Sequence, residues 1–277
     1  MNQYCFLNGK ILPLAEAKVG IEDIGLLRGY GIYDGIASFN GKPFRFSDHW
    51  NRFLSGVHIL SLNVPITEEK AERVIEEILL KNGFSKRANV RMILTGGKTL
   101  NGIEYDFEHP TFYILAEKWE PLSQDFYEKG VRLITYEHMR ELPKYKTVNY
   151  IRAVNLQNWR KEEKALEILY TYGGEVLECA TSNIFIVKNK TLITPDENIL
   201  KGITRKVVLE LALNKYKIEE RPVEEEELKT ADEVFITSSF KDIVPIVRIN
   251  DFEVANGQVG LVTKKLMEEF AKVVNIG

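Results

Sequence analysis

Two Asn-Gly pairs, Asn8-Gly9 and Asn40-Gly41, constrain this chain more than any other feature, because β-rich segments flank them at residues 4–7 and 32–39. Asn and Gly both tolerate the positive φ that a two-residue hairpin turn demands, so the chain is expected to open as antiparallel sheet. Ser47 then precedes a helical pattern with Trp50, Phe53, Leu54, Val57 and Leu60 on one face. Thr67 precedes a second, with Ile75, Ile78 and Leu79 inward and Asn82-Gly83 closing it. Strands at residues 88–95 and 111–116 complete this half.

A length of 277 residues exceeds the usual single core, so two cores are expected. The proline-bearing stretch around Glu120-Pro121 marks the change, giving an N-terminal domain at 1–117, a linker at 118–123 and a C-terminal domain at 124–277. The second half reads as a strand at 131–136, a helix at about 150–163, and strands at 166–172 and 175–177 joined by Gly173-Gly174. Strands at 184–187 and 191–194, a helix at 204–216, strands at 233–237 and 243–247 and a helix from about Gly260 follow. Strands joined by short turns with irregularly placed helices indicate an α+β fold. Gly29, Gly31 and Gly35 imitate a dinucleotide loop, but the third glycine falls one residue late and no strand-to-helix context surrounds them.

Several function classes are disfavoured. The net charge of −3 comes from 37 basic and 40 acidic side chains mixed along the chain, which leaves no nucleic-acid footprint. The acidic run from Glu224 to Glu227 reads as the solvated first turn of a helix. Cys5 and Cys179 are too isolated for a disulfide framework, and His49, His58, His109 and His138 lack metal-ligand spacing, so no metal is expected. No charged leader, and no apolar run approaching the ~18 residues of a membrane span, is present; a cytoplasmic protein with no membrane role is expected.

The chemistry-bearing residues form three groups. Lys146 and Glu178 have the residue types to hold the two ends of pyridoxal phosphate, a lysine for the aldehyde and a carboxylate for the ring nitrogen. A lysine does this only as a neutral amine, so burial or a nearby cation should disfavour its ammonium. Gly202-Ile203-Thr204-Arg205 opens an amphipathic helix whose first amides suit a phosphate, and Thr237-Ser238-Ser239 adds hydroxyls; Arg52, three residues after His49, can supply a bidentate charge. Each has an ordinary reading by itself: a surface lysine with Lys144 as its nearest competitor, an edge-strand glutamate, a plain N-cap.

Taken in order, these residues resemble the fold-type IV pyridoxal-phosphate enzymes, the class-IV aminotransferase family that includes branched-chain aminotransferases, D-amino-acid aminotransferases and aminodeoxychorismate lyase. The resemblance runs from Leu7-Asn8-Gly9 and Gly31-Ile32-Tyr33-Asp34-Gly35 through His49-Trp50-Asn51-Arg52-Phe53 to Val244-Pro245-Ile246. It is most specific at Lys146 with Asn149, at Glu178 with Asn183-Ile184-Phe185, and at Gly202-Ile203-Thr204-Arg205. It implies two domains, a smaller N-terminal α/β sandwich and a larger C-terminal mixed sheet or pseudo-barrel with helices. It implies that Lys146 is the Schiff-base lysine and proton shuttle, that Glu178 pairs with the ring nitrogen, and that Arg52, Ile203, Thr204 and Ser239 hold the phosphate. It further implies a homodimer with the site at the domain junction, near the subunit interface, Arg28 coming from the neighbouring chain.

Substrate contacts are expected from Tyr33, Arg28, Arg91, Ser239 and Phe240, with an amino acid and a 2-oxo acid as the small-molecule partners. The chain departs from both familiar subgroups: Gly96 stands where D-amino-acid enzymes carry an arginine, and Cys179 and Ser238-Ser239-Phe240 replace the branched-chain pattern. Arginine's fork suits an α-carboxylate, and Arg28 with Arg91 would hold one on the loop side. That favours D-amino acids with 2-oxoglutarate or pyruvate as acceptor. An L-branched-chain aminotransferase, the lyase, and a non-catalytic binding protein on the same fold are the alternatives.

Overall fold

The computed structural model describes residues 3–276. Two compact units are present: one takes residues up to Glu120 together with Tyr145–Tyr150, the other Pro121–Lys144 and Ile151–Ile276. Residues 145–150, expected in the C-terminal domain, therefore belong to the N-terminal unit, and backbone pairing described below is the reason.

The N-terminal unit contains strands β1 (Tyr4–Leu7), β2 (Lys10–Pro13), β3 (Gly31–Phe39), β4 (Lys42–Pro43), β5 (Arg87–Thr95) and β6 (Thr111–Lys118), and helices α1 (Ile24–Arg28), α2 (Phe46–Ile59) and α3 (Glu68–Lys81). The strands form one antiparallel sheet in the order β2-β1-β6-β5-β3-β4. Both Asn-Gly pairs close two-residue hairpins, with φ of 43° and 91° at Asn8 and Gly9 and of 53° and 76° at Asn40 and Gly41. Alternation sends Ile32, Ile36, Val90, Met92, Leu94, Phe112 and Ile114 to one face, where they pack with Trp50, Phe53, Val57, Ile75, Ile78 and Leu79 of the two long helices. Each such buried side chain contributes roughly 1.5–3 kcal/mol of transfer free energy. Gly56 lets α2 lie close on β3, since a Cβ there would come within 2.7 Å of Ile32 Cδ1.

Thr67 caps α3 as expected, but Ser47 does not cap α2. The helix begins at Phe46 after a left-handed Arg45, and Ser47 Oγ instead donates to Glu68 at 2.5 Å. Burial of the Phe46 ring draws it into the first turn.

In the C-terminal unit the strands are β7 (Val131–Glu137), β8 (Glu167–Tyr172), β9 (Glu175–Cys179), β10 (Asn183–Lys188), β11 (Thr191–Thr194), β12 (Lys217–Glu220), β13 (Val223–Glu224), β14 (Glu233–Ser238), β15 (Asp242–Ile249) and β16 (Phe252–Glu253). Its helices are α4 (Gln124–Glu128), α5 (Ile151–Asn155), α6 (Gln157–Glu162), α7 (Ile203–Ala212), α8 (Glu225–Thr230) and α9 (Leu261–Ile276). One curled mixed sheet runs β12-β11-β10-β14-β15-β7-β8-β9-β13, with β16 on β15. Gly173-Gly174 makes a third two-residue turn at φ 61° and 86°. Strand β10 is buried along nearly all its length: Ile184 and Ile186 enter one core while Phe185 stacks on Phe235 at 4.9 Å.

The helix expected over 150–163 is two helices, because the Gln157 side chain takes the Ala153 carbonyl at 2.8 Å and displaces the backbone bond there. Helix α7 ends at Ala212, four residues short of expectation, with Asn214 left-handed at φ 65° before the unforeseen strand β12.

Candidate active site

In the N-terminal unit, residues 146–148 run as a short extra strand along the free end of β3. Tyr33 N–H donates to the Lys146 carbonyl at 2.9 Å, Val148 N–H donates to the Gly31 carbonyl at 3.0 Å, and Thr147 lies opposite Ile32. This register fixes the Lys146 side chain beside β3, with Nζ 4.7 Å from the centre of the Tyr33 ring. Tyr150 meets the same ring edge-on, centroids 5.6 Å apart. Lys146 is half-buried, which sets it apart from a surface lysine.

Strand alternation turns the next residue, Asp34, to the opposite face of β3, where it is wholly buried. Arg52 holds it with two bonds, Nε to Oδ2 at 2.9 Å and Nη2 to Oδ1 at 2.8 Å, and His49 Nδ1 lies 2.7 Å from Oδ1. A carboxylate oxygen only accepts, so Nδ1 carries the imidazole proton. Burial alone would raise the Asp34 pKa, but Arg52 and His49 outweigh it and hold the carboxyl well below its usual range. Burial pulls the His49 pKa down against Asp34, so the ring is neutral at pH 7.

Burial likewise disfavours the Lys146 ammonium, and Arg52 adds to that, as the sequence led us to expect. The phenols of Tyr33 and Tyr150, with Asp34, nevertheless prevail, and the net shift of Lys146 is upward, opposite to the expected direction. Burial pushes Tyr33 itself up to about 12. The free lysine thus rests as an ammonium in these surroundings.

The C-terminal unit positions the second group. Glu178 is buried at the end of β9. Arg140 donates to its Oε1 from Nε at 2.9 Å and Nη2 at 2.6 Å, and Leu200 N–H donates to Oε2 at 3.1 Å. Arg140 also donates to the Pro143 carbonyl at 2.6 Å, which fixes the guanidinium. Sequence reasoning missed Arg140, which lies in a segment without periodicity. Asn183 ties down the approach to α7, its Nδ2 donating to the Leu200 carbonyl at 2.7 Å and its Oδ1 accepting from Gly202 N–H at 3.1 Å. A Cβ on Gly202 would lie 2.2 Å from that Oδ1, so the turn is built for glycine. Ile203 and Thr204 form the buried first turn of α7 as expected. In the hydroxyl run, the Oγ1 of Thr237 and the Oγ of Ser238 are buried without a hydrogen-bond partner, while Ser239 and Phe240 are half-buried in the turn that follows.

The two arginines expected to bind substrate have bonds of their own. Arg28 is exposed and, contrary to the expected loop, occupies the last turn of α1, a helix capped by Asp23 and too short to show periodicity; its Nη1 donates to the Leu27 carbonyl at 2.9 Å. Arg91 forms an ion pair with Glu117 on the exposed face of the sheet. A cavity elsewhere in this unit, lined by Phe6, Asp23, Lys70, Lys98 and His109 among others, contains none of the expected site residues. Among the described residues no three His, Cys, Asp or Glu side chains are grouped to hold a metal ion, and no helix is long and apolar enough to cross a membrane.

Comparison with known proteins gives the family of the chain. The amino-transferase class IV family matches residues 31–249, and the chain belongs to that family of pyridoxal-phosphate-dependent transferases. A Methanocaldococcus jannaschii protein provisionally named a branched-chain-amino-acid aminotransferase is 36% identical over 281 residues, covering 97% of this chain and 95% of its own. A D-alanine aminotransferase of Listeria monocytogenes is 30% identical over 275 residues, covering 97% and 95%. The fold-type IV architecture is that of the branched-chain aminotransferase from the thermophilic archaeon Thermoproteus uzoniensis, solved with norvaline, at a TM-score of 0.89 and 26% identity, over 99% of this chain and 95% of that one.

Proposed function

We propose that this aminotransferase uses pyridoxal phosphate held by Lys146 to pass an amino group between an amino acid and a 2-oxo acid. The observation that carries the proposal is the half-buried Lys146, fixed by backbone pairing to β3 and facing the Tyr33 and Tyr150 phenols. The residues fit the cofactor: partnerless buried hydroxyls at Thr237 and Ser238 and the Gly202 turn suit a phosphate. When bound, the cofactor supplies a carbonyl and an electron-withdrawing ring that delocalises negative charge from the substrate α-carbon.

The remaining work falls to the chain. The Lys146 amine, in its neutral form, would act at the substrate α-carbon as general base and then as general acid. Glu178, with Arg140 as its fixed counter-charge, would hold the ring nitrogen in its protonated form. The amides of Ile203 and Thr204 and the positive end of α7 take the phosphate, with Arg52 and Ser239. Tyr33, Ser239 and Phe240 line the substrate.

For the substrate we favour an L-branched-chain amino acid with 2-oxoglutarate as acceptor. The relative at 36% identity supports it, and Arg91, paired with Glu117, no longer completes the arginine pair on which D-selectivity rested. The D-amino-acid reading retains the support of the D-alanine relatives.

We further propose a cytoplasmic homodimer. Exposed Ile21, Leu26, Leu100 and Ile103 lie on two segments joined by the Thr99 N–H to Glu22 carbonyl bond of 3.0 Å, an apolar face suited to a second copy that would bring Arg28 to its neighbour's site. The buried free thiols of Cys5 and Cys179 suit a reducing compartment.

Borohydride trapping with mass spectrometry should place a pyridoxyl group on Lys146, and a screen of both enantiomers with two acceptors should consume L-leucine and L-valine. Consumption of D-alanine alone would favour the D reading. Pyruvate release from aminodeoxychorismate without an acceptor would make the chain a lyase, and no uptake of pyridoxal phosphate would leave a non-catalytic binding protein.

A further inference from the structure

We propose that Glu167 and Lys241 form a clamp that holds two turns of the C-terminal unit in the arrangement that retains the cofactor. Glu167 opens β8 and is 5% exposed. Its carboxylate accepts from Thr181 N–H at 3.0 Å, from Thr181 Oγ1 at 3.1 Å and from the Ser182 hydroxyl, and it pairs with the Lys241 ammonium. Lys241 also donates to Thr181 Oγ1 at 2.7 Å, so that hydroxyl accepts from the lysine and donates to the glutamate. Tyr127 Oη, donating to the Lys241 carbonyl at 3.1 Å, fixes the lysine's backbone.

The two turns are the ones that carry the cofactor groups. Thr181 and Ser182 lie between Glu178 and Asn183, the residue that ties down the Leu200–Gly202 approach to α7. Lys241 follows the partnerless hydroxyls of Thr237 and Ser238 by four and three residues. One buried carboxylate thus binds the turn after the ring-nitrogen acid to the turn after the phosphate hydroxyls. A buried ion pair is a poor source of net stability but satisfies its hydrogen bonds in only one arrangement, which suits a positioning role. Neither residue touches the cofactor, and the clamp rests on the site assignment proposed above.

The test is a pyridoxal phosphate titration, followed by absorbance, of apo-protein carrying Glu167→Gln, Lys241→Met, both together, or Lys241→Arg. Each of the first two should raise Kd about tenfold or more, as loss of a supporting contact does elsewhere, with turnover largely recovered at saturating cofactor. The double variant should be no worse than either single one, to within about twofold, because the clamp fails as a unit. Lys241→Arg, which keeps the cation, should bind within about threefold of wild type. If the single variants bind within about twofold of wild type while their thermal midpoints fall, the pair is merely structural and the proposal is overturned. Should a single variant not fold, the double variant leaves no unpaired charge, and unchanged affinity there overturns the proposal equally. Wild-type apo-protein that takes up no pyridoxal phosphate would sink the site assignment along with the clamp, whereas wild-type uptake with unchanged variants sinks the clamp alone.

Discussion

The two units bury charge in opposite ways. In the N-terminal unit Lys146 faces two phenols, while the nearby carboxylate of Asp34 is already engaged by Arg52 and His49. In the C-terminal unit Glu178 is fixed to a guanidinium by two bonds and to a backbone amide by a third. In the proposed mechanism the lysine gains and loses a proton, and the groups it faces are phenols instead of a fixed counter-charge. The glutamate has to remain an anion, and it sits against arginine, which is always charged. The kind of neighbour therefore distinguishes a group that cycles from one that stands still.

The largest effect should come from Lys146→Ala. Loss of the general base alone removes roughly 10²–10⁴-fold in rate, and loss of the covalent anchor adds to it, so turnover should fall to background. Since Lys146 is held through its backbone, thermal unfolding should change little. Residual transamination above about a tenth of wild type would remove Lys146 from the proton-transfer role.

Arg140→Met should differ by acting strongly on stability. It strands Glu178 as a buried charge, and breaking such a pair by removing one partner costs about 3–5 kcal/mol. Chemical denaturation would measure this. If Lys146→Ala were as destabilising as Arg140→Met, the lysine too would be a structural ion-pair partner and the contrast between the units would collapse.

Much of this arrangement was legible in the sequence, because some backbone requirements are local. Asn8-Gly9, Asn40-Gly41 and Gly173-Gly174 each satisfy a turn that needs positive φ at both centres, and each makes it. The acidic run at Glu224 proves to be a capping box, Glu224 and Glu227 each satisfying the other's backbone. What escaped notice depends on distant partners. Arg140 stands in an aperiodic segment and becomes meaningful only when Glu178 is brought to it. The membership of Tyr145–Tyr150 in the N-terminal unit arises from pairing with β3, a strand more than a hundred residues earlier. The upward shift of Lys146 depends on Tyr33, which the sequence marked as a substrate contact and not as the lysine's neighbour.

An intermediate effect should appear on acidification. His49 has its pKa lowered below 6.5, first by burial, so the unfolded chain binds a proton near that pH that the folded chain refuses; stability present above 6.5 is lost as pH falls toward the folded value. His138, also lowered by burial with Arg152 and Arg140 nearby, adds a similar loss in the other unit. The depressed carboxyls of Asp34 and Glu167 give up their contribution only below their ordinary 3.8 and 4.5. Denaturation midpoints should therefore decline in two legs, and His49→Gln should remove the His49 share of the upper leg, leaving that of His138. An unchanged upper leg would mean that His49 is not held neutral against Asp34.

The smallest effect should come from Arg91→Met, which separates the two units' arginines by exposure. Arg91 pairs with Glu117 where both side chains are about a third to a half exposed, 36% and 48%, whereas Arg140 and Glu178 are 11% and 8%. Exposed pairs contribute about 0–1 kcal/mol, so stability should hardly move. KM for the amino acid should also stay within about twofold, because a guanidinium committed to Glu117 gives a substrate carboxylate none of the ~1.5–3 kcal/mol of a charged hydrogen bond. A tenfold rise in KM at unchanged kcat would show that Arg91 leaves Glu117 for the substrate, and would restore the arginine-based argument for D-amino acids.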